Sequence, residues 1–87
     1  MKVIVSWISA ETVLKCKKDP AVMDRIQLVN PMSYEGIVLF DMLINLPDDY
    51  TISGKIDGVN EYVVIKLSKL GSIEINIKDF RDITISG

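Results

Sequence analysis

The stretch that decides the fold runs Thr51-Ile52-Ser53-Gly54-Lys55-Ile56-Asp57-Gly58-Val59-Asn60-Glu61-Tyr62-Val63-Val64-Ile65-Lys66-Leu67. Two runs of alternating apolar and polar residues flank Asp57-Gly58, a pair favoured in two-residue hairpin turns because both positions accept positive φ. Pairing Ile56 with Val59 sets the register, so that Ile52 faces Val63 and Tyr50 faces Ile65. Working outward, a loop from Ser68 to Ser72 brings Leu67 opposite Ile73, Ile65 opposite Ile75 and Val63 opposite Ile77. A second loop, Lys78 to Asp82, puts Ile77 opposite Ile83 and Ile75 opposite Ile85.

This register sorts the two faces, and a one-residue slip would invert them. One face collects Tyr50, Ile52, Ile56, Val59, Val63, Ile65, Leu67, Ile73, Ile75, Ile77, Ile83 and Ile85, with Glu61 its only charge. The other collects Thr51, Ser53, Lys55, Asn60, Tyr62, Val64, Lys66, Glu74, Asn76, Lys78 and Thr84, and sets Lys66 across from Glu74. The pattern predicts a four-stranded antiparallel meander over 50–86 with one wet face.

Something must cover the apolar face. The preferred cover is a helix from Tyr34 to Leu46, preceded by Asn30-Pro31, capped at Ser33 and stopped by Pro47. It would be apolar almost all round, hence buried on more than one side. A strand at Ile37 to Phe40 is the competing reading, because a short apolar run has no diagnostic period. Asp19-Pro20 has the signature of a second helix start, running through Val22, Met23 and Ile26 towards Val29. Ser9 to Lys18 reads as a third, with Glu11 in its first turn and lysines in its last; a hairpin of Lys2–Ile8 with Thr12–Lys17 is the alternative. Lys2 to Ile8 lacks alternation and is expected as a strand covered on both faces. The fold class expected is α+β: one domain, 1–87, with two or three helices on one face of a four- or five-stranded, mostly antiparallel sheet.

Composition removes several chemistries. Thirteen Ile, nine Val and seven Leu make up 29 of the 87 residues, which excludes intrinsic disorder. The absence of histidine excludes Ser-His-Asp and Cys-His catalysis and any imidazole metal ligand. A lone cysteine, Cys16, excludes an internal disulfide and cysteine-built zinc or iron–sulfur sites within one chain. No cofactor is called for, and a reducing, cytoplasmic location is the simplest expectation. The apolar start, Val3 to Ala10, is too short for a typical signal segment, and no run of apolar residues is long enough to cross a membrane. A net charge of −2 argues against nucleic acid, whose binders carry a basic footprint. The basic run Lys15, Lys17 and Lys18 is more simply a solvated helix end.

Each candidate site has a plainer counterpart. Cys16 between two lysines has the setting of a reactive thiol, but free cysteines are mostly buried. Asp48-Asp49, and Asp79 with Asp82, offer carboxylates for acid–base work, although Asp in loops commonly serves turn chemistry. On the wet face Tyr62 is ringed by Lys55, Lys66, Glu74, Asn76 and Lys78, which resembles a partner-binding anchor as well as an ordinary solvated face. The strand Ile83 to Gly87 carries no charge, and neither does Val3 to Ile8, whereas exposed edges normally defend themselves. Either the first strand caps the last within one molecule, the preferred reading, or an edge pairs with another chain.

The functional expectation is a small non-enzymatic protein-binding module: an inhibitor, an immunity-type or adaptor protein, or a subunit of an assembly. Partner contacts are expected at Tyr62, Lys55, Lys66, Glu74, Asp48 and Asp49. The partner is another protein, or a second copy through an uncharged edge or the back of the 34–46 segment. The alternatives are a histidine-independent enzyme using the loop carboxylates and a weak nucleic-acid binder using Lys15–Lys18.

Overall fold

A computed structural model describes residues 1–16 and 20–87. The elements in order are β1 (Lys2–Ser9), α1 (Ala10–Lys15), α2 (Pro20–Met23), β2 (Ile26–Tyr34), β3 (Ile37–Asn45), β4 (Thr51–Asp57), β5 (Asn60–Lys66), β6 (Ser72–Asn76) and β7 (Asp82–Ser86). They form two antiparallel sheets, a four-stranded one ordered β2-β3-β1-β7 and a three-stranded one ordered β4-β5-β6. The α+β class therefore holds only in coarse form. Two short helices accompany two sheets, instead of two or three helices lying on one.

The hairpin and the strand after it form where expected, with each pairing shifted by two residues. Ile52 lies opposite Ile65, Lys55 opposite Tyr62 and Ile56 opposite Glu61, while Val63 lies opposite Ile75 and Ile65 opposite Ile73. The tight turn is Gly58-Val59, with Gly58 at φ +64° in its first position. That arrangement needs one left-handed residue, where a turn centred on Asp57-Gly58 would need two. A two-residue slip preserves the faces, so Ile65, Ile73 and Ile75 still point into the core. Ile56 and Val59, assigned to that apolar face, instead stand exposed at the hairpin tip.

The fourth strand of the meander goes elsewhere. Asn76 accepts a hydrogen bond from the Lys78 amide and caps a 3-10 turn over Ile77–Asp79. The chain then crosses to the other sheet, where β7 pairs with β1 in the register Val3 to Ile85 and Val5 to Ile83. The first strand thus caps one edge of the last within the molecule, Lys2 and Asp82 being the only charges the two carry.

The 34–46 helix is not present. Tyr34 ends β2, Glu35 and Gly36 turn with φ of +48° and +79°, and β3 runs from Ile37 to Asn45 between β1 and β2. β3 carries apolar residues on both faces, Met42 and Ile44 on one and Leu39 and Leu43 on the other, which is why its run looked like a buried helix. Met42 and Ile44 enter the core, whereas Leu39, Asp41 and Leu43 point outward. The predicted second helix shortens to Pro20–Met23, and Ile26 to Val29 belong to β2; the cap assigned to Asp19 lies outside the described residues. The Ser9 helix is present as α1, Ser9 Oγ accepting from the Thr12 amide at 3.1 Å, and it replaces the alternative hairpin.

One core joins both sheets. It contains Val3, Val5 and Ile8 from β1, Met42 and Ile44 from β3, and Ile65, Ile73 and Ile75 from β5 and β6, closed by Val13, Cys16 and Val22. Each fully buried aliphatic side chain contributes roughly 1.5–3 kcal/mol. Cys16 is buried there, its thiol donating to the Thr12 carbonyl at 3.3 Å, so the structural reading of this residue stands. Among the described residues no helix is long and apolar enough to cross a membrane.

Candidate functional site

The side chains singled out on the wet face fall on the outside of the three-stranded sheet. Lys55 lies opposite Tyr62, with its ammonium 5.9 Å from the ring centre, and reaches past the ring to Glu74 at 2.8 Å. Glu74 therefore pairs with Lys55 and not with Lys66, because Lys66 is shifted in register to face Ser72. The Glu74 carboxylate accepts the ammonium's hydrogen bond and so raises the Lys55 pKa above its ordinary value. This group is ionically satisfied and half-buried, the Lys55 side chain being 50% exposed and that of Glu74 19%. Asp48 and Asp49 are exposed between β3 and β4, and among the described residues neither forms an ion pair with the Lys55 cluster. Lys15 is paired with Glu11 at 3.0 Å, while Lys17 and Lys18 lie outside the described residues. Among the described residues no group of acidic or cysteine side chains has metal-binding geometry.

A different constellation stands on the outer face of the four-stranded sheet. The pairings of β3 place two bulges back to back. On one side Ser6 and Trp7 stand against Asp41 alone, and on the other Asn30 and Pro31 stand against Phe40 alone. Both bulges carry a left-handed residue, Trp7 at φ +61° and Asn30 at φ +54°. Asparagine tolerates that conformation, but in a bulky residue it costs about 1–2 kcal/mol. Proline fits at the second bulge because it has no amide to offer a ladder and β2 is an edge strand. The Asn30 side-chain amide donates to the Asp41 carboxylate at 3.0 Å, tying the second bulge to the central strand.

The consequence is the placement of Trp7. Its ring meets Tyr34 at 5.3 Å between centroids, tilted by 52°, and the Arg81 guanidinium lies 4.7 Å from its centre. Arg81 is held there by its backbone amide, which donates to the Ser6 carbonyl at 2.9 Å. Ser6, Asp41 and Asp82 line a depression beside the Arg81–Trp7 pair, and Asn30, Met32, Leu39 and Phe40 line another on the far side of Trp7. Tyr34 is 49% exposed and Ile37 opposite it is 55% exposed. The same face carries Ile4 paired with Leu43, and Met32 paired with Leu39.

None of Trp7, Tyr34 and Arg81 was selected from the sequence. They lie far apart in the chain, and only the β2-β3-β1-β7 strand order brings them together. The one local signal was Asn30-Pro31, which reads as punctuation between elements and is in fact a bulge inside a strand. Comparison with protein-family models, curated proteins and solved structures finds no match to this chain.

Proposed function

We propose that the chain is a non-enzymatic protein-binding module whose contact surface is the outer face of the four-stranded sheet, with Trp7 as its anchor. The observation that carries this reading is the Tyr34–Trp7–Arg81 stack held by two back-to-back bulges. Trp, Tyr and Arg are the residue types most enriched where interfaces concentrate their binding free energy. Here all three share one face with the exposed Met32 and Ile37 and the partly exposed Ile4, Leu39 and Leu43. A left-handed tryptophan is costly to keep, and such strain clusters where a surface is shaped for a ligand. The guanidinium lies against an aromatic face without an ion-pair partner among the described residues, so its donors remain for an acceptor on the partner. The partner is another protein presenting apolar side chains and such an acceptor.

Site-directed photo-crosslinking tests the assignment. A photoreactive residue at Ile37 is expected to capture a discrete protein in the source cells, and Tyr34→Ala with Arg81→Ala should abolish the capture without unfolding the chain. The same probe at Lys66, on the other outer face, should capture nothing reproducible. Capture from Lys66 alone would move the contact surface to the three-stranded sheet and refute this reading.

A further inference from the structure

We infer that the free edge of β7 pairs antiparallel with β7 of a second copy of this chain, joining two four-stranded sheets into one of eight. Four strands border the two sheets: β2 and β7 in one, β4 and β6 in the other. Exposed borders invite pairing unless proline, charge, a bulge or a covering element prevents it. β2 carries Pro31 and a bulge, and β4 carries Lys55 and Asp57. β6 carries Glu74 and is flanked by α1, whose Thr12 and Lys15 line a depression with Glu74 and Asn76. β7 is defended only at its start, where the Asp82 carboxylate accepts from the Ile83 amide at 2.9 Å, and Thr84, Ile85 and Ser86 beyond it are all exposed.

The strand itself identifies the occupant. Asp82-Ile83-Thr84-Ile85-Ser86 reads polar, Ile, Thr, Ile, polar in both directions. Antiparallel pairing about a two-fold axis at Thr84 sets Ile83 opposite the second copy's Ile85, Thr84 opposite its equivalent, and Asp82 opposite the second copy's Ser86. Apolar residues then meet apolar ones on the core side, and no like charges oppose each other. Two-fold interfaces must be self-complementary in this way, whereas a strand from an unrelated chain imposes no such symmetry. The core points to the same occupant. Ile83 and Ile85 lie on the core side, paired with Val5 and Val3, yet Ile85 is 52% exposed because the core ends at this border. A second β7 would extend the sheet there and cover Ile85 with its own Ile83. The paired strand begins one residue after Arg81 of the Trp7 stack, and Asp82 lines the depression beside that stack, so the test below acts at Thr84, away from it.

Light scattering and sedimentation equilibrium of the full chain, from micromolar to hundreds of micromolar, test the pairing. The wild type is expected to reach a dimer. Thr84→Lys and Thr84→Glu, at an exposed position, should each remain monomeric with unchanged circular dichroism. An equimolar mixture of the two should dimerise, because lysine then faces glutamate across the axis. A wild type that stays monomeric throughout overturns the proposal. So do single Thr84 variants that dimerise like the wild type, and a mixture that fails to recover the dimer.

Discussion

The two outward faces of this molecule are built from the same β-sheet geometry and have opposite surface chemistry. The three-stranded sheet presents Thr51, Ser53, Lys55, Tyr62, Lys66, Glu74 and Asn76, and its central charges neutralise each other at 2.8 Å. The four-stranded sheet presents Ile4, Trp7, Met32, Tyr34, Ile37, Leu39 and Leu43 around Asp41. A solvated face needs nothing beyond water. Large apolar patches rimmed by polar groups are uncommon on protein surfaces, and the outer face of the four-stranded sheet is the one proposed above for partner contact. The backbone differs in the same sense. The small sheet pairs in unbroken register, whereas the large one has its register interrupted on both sides of β3 at Phe40 and Asp41. Irregular backbone and apolar surface coincide on the larger sheet, the surface proposed above for partner contact.

The contrast can be broken most directly at β3, where neighbouring residues point to opposite faces. Ile44→Ala, in the core, is expected to lower unfolding free energy by about 2–5 kcal/mol in chemical denaturation. Leu43→Ala, one residue away on the outer face, should cost less than half as much. Equal costs would mean that this face is covered within the chain. A smaller effect is expected at Trp7, where the usual order of substitutions should invert. With φ at +61°, Trp7→Gly should be more stable than Trp7→Ala by about 1 kcal/mol, because glycine alone adopts that conformation freely. Gly58→Ala, at φ +64°, should cost about 1 kcal/mol and mark the hairpin turn on the regular sheet.

The smallest effect belongs to the Lys55–Glu74 pair. Its raised lysine pKa means that stabilisation is present at neutral pH and is lost as pH climbs past the ordinary lysine range and through the raised pKa. Melting curves of Glu74→Gln should match the wild type in high salt, where an exposed pair is screened. A salt-insensitive loss of stability would instead show that the polar face has a structural role comparable to the apolar one.

Much of the smaller sheet was legible because it is one hairpin plus the next strand, with faces set by alternation and a turn signalled by glycine. The register moved by two residues, a shift that alternation does not detect because it leaves every side chain on its own face. The larger sheet was less legible for a related reason. Ile37 to Leu46 is apolar on both faces, so it has neither the period of a half-buried strand nor that of an amphipathic helix. The turn that defines it, Glu35-Gly36, places a left-handed glutamate where asparagine or aspartate is the usual signal. The wet-face residues Tyr62, Lys55 and Glu74 did come together, while Asp48 and Asp49 stayed apart from them. The Trp7 stack had no sequence signature, since its members come from β1, β2 and the segment before β7.

By itself, the sequence determined the small sheet's hairpin and the faces of its strands, favoured a buried Cys16 and excluded histidine chemistry. Those properties depend on local pattern and side-chain type. The excess of 29 branched aliphatics also announced more apolar surface than a chain of this size readily buries. Tertiary structure alone decided that β7 would leave the meander for β1, that 37–45 would become a central strand, and that Trp7, Tyr34 and Arg81 would meet. Each of these outcomes depends on pairing between distant segments, and short-range periodicity carries no information about which strand lies beside which.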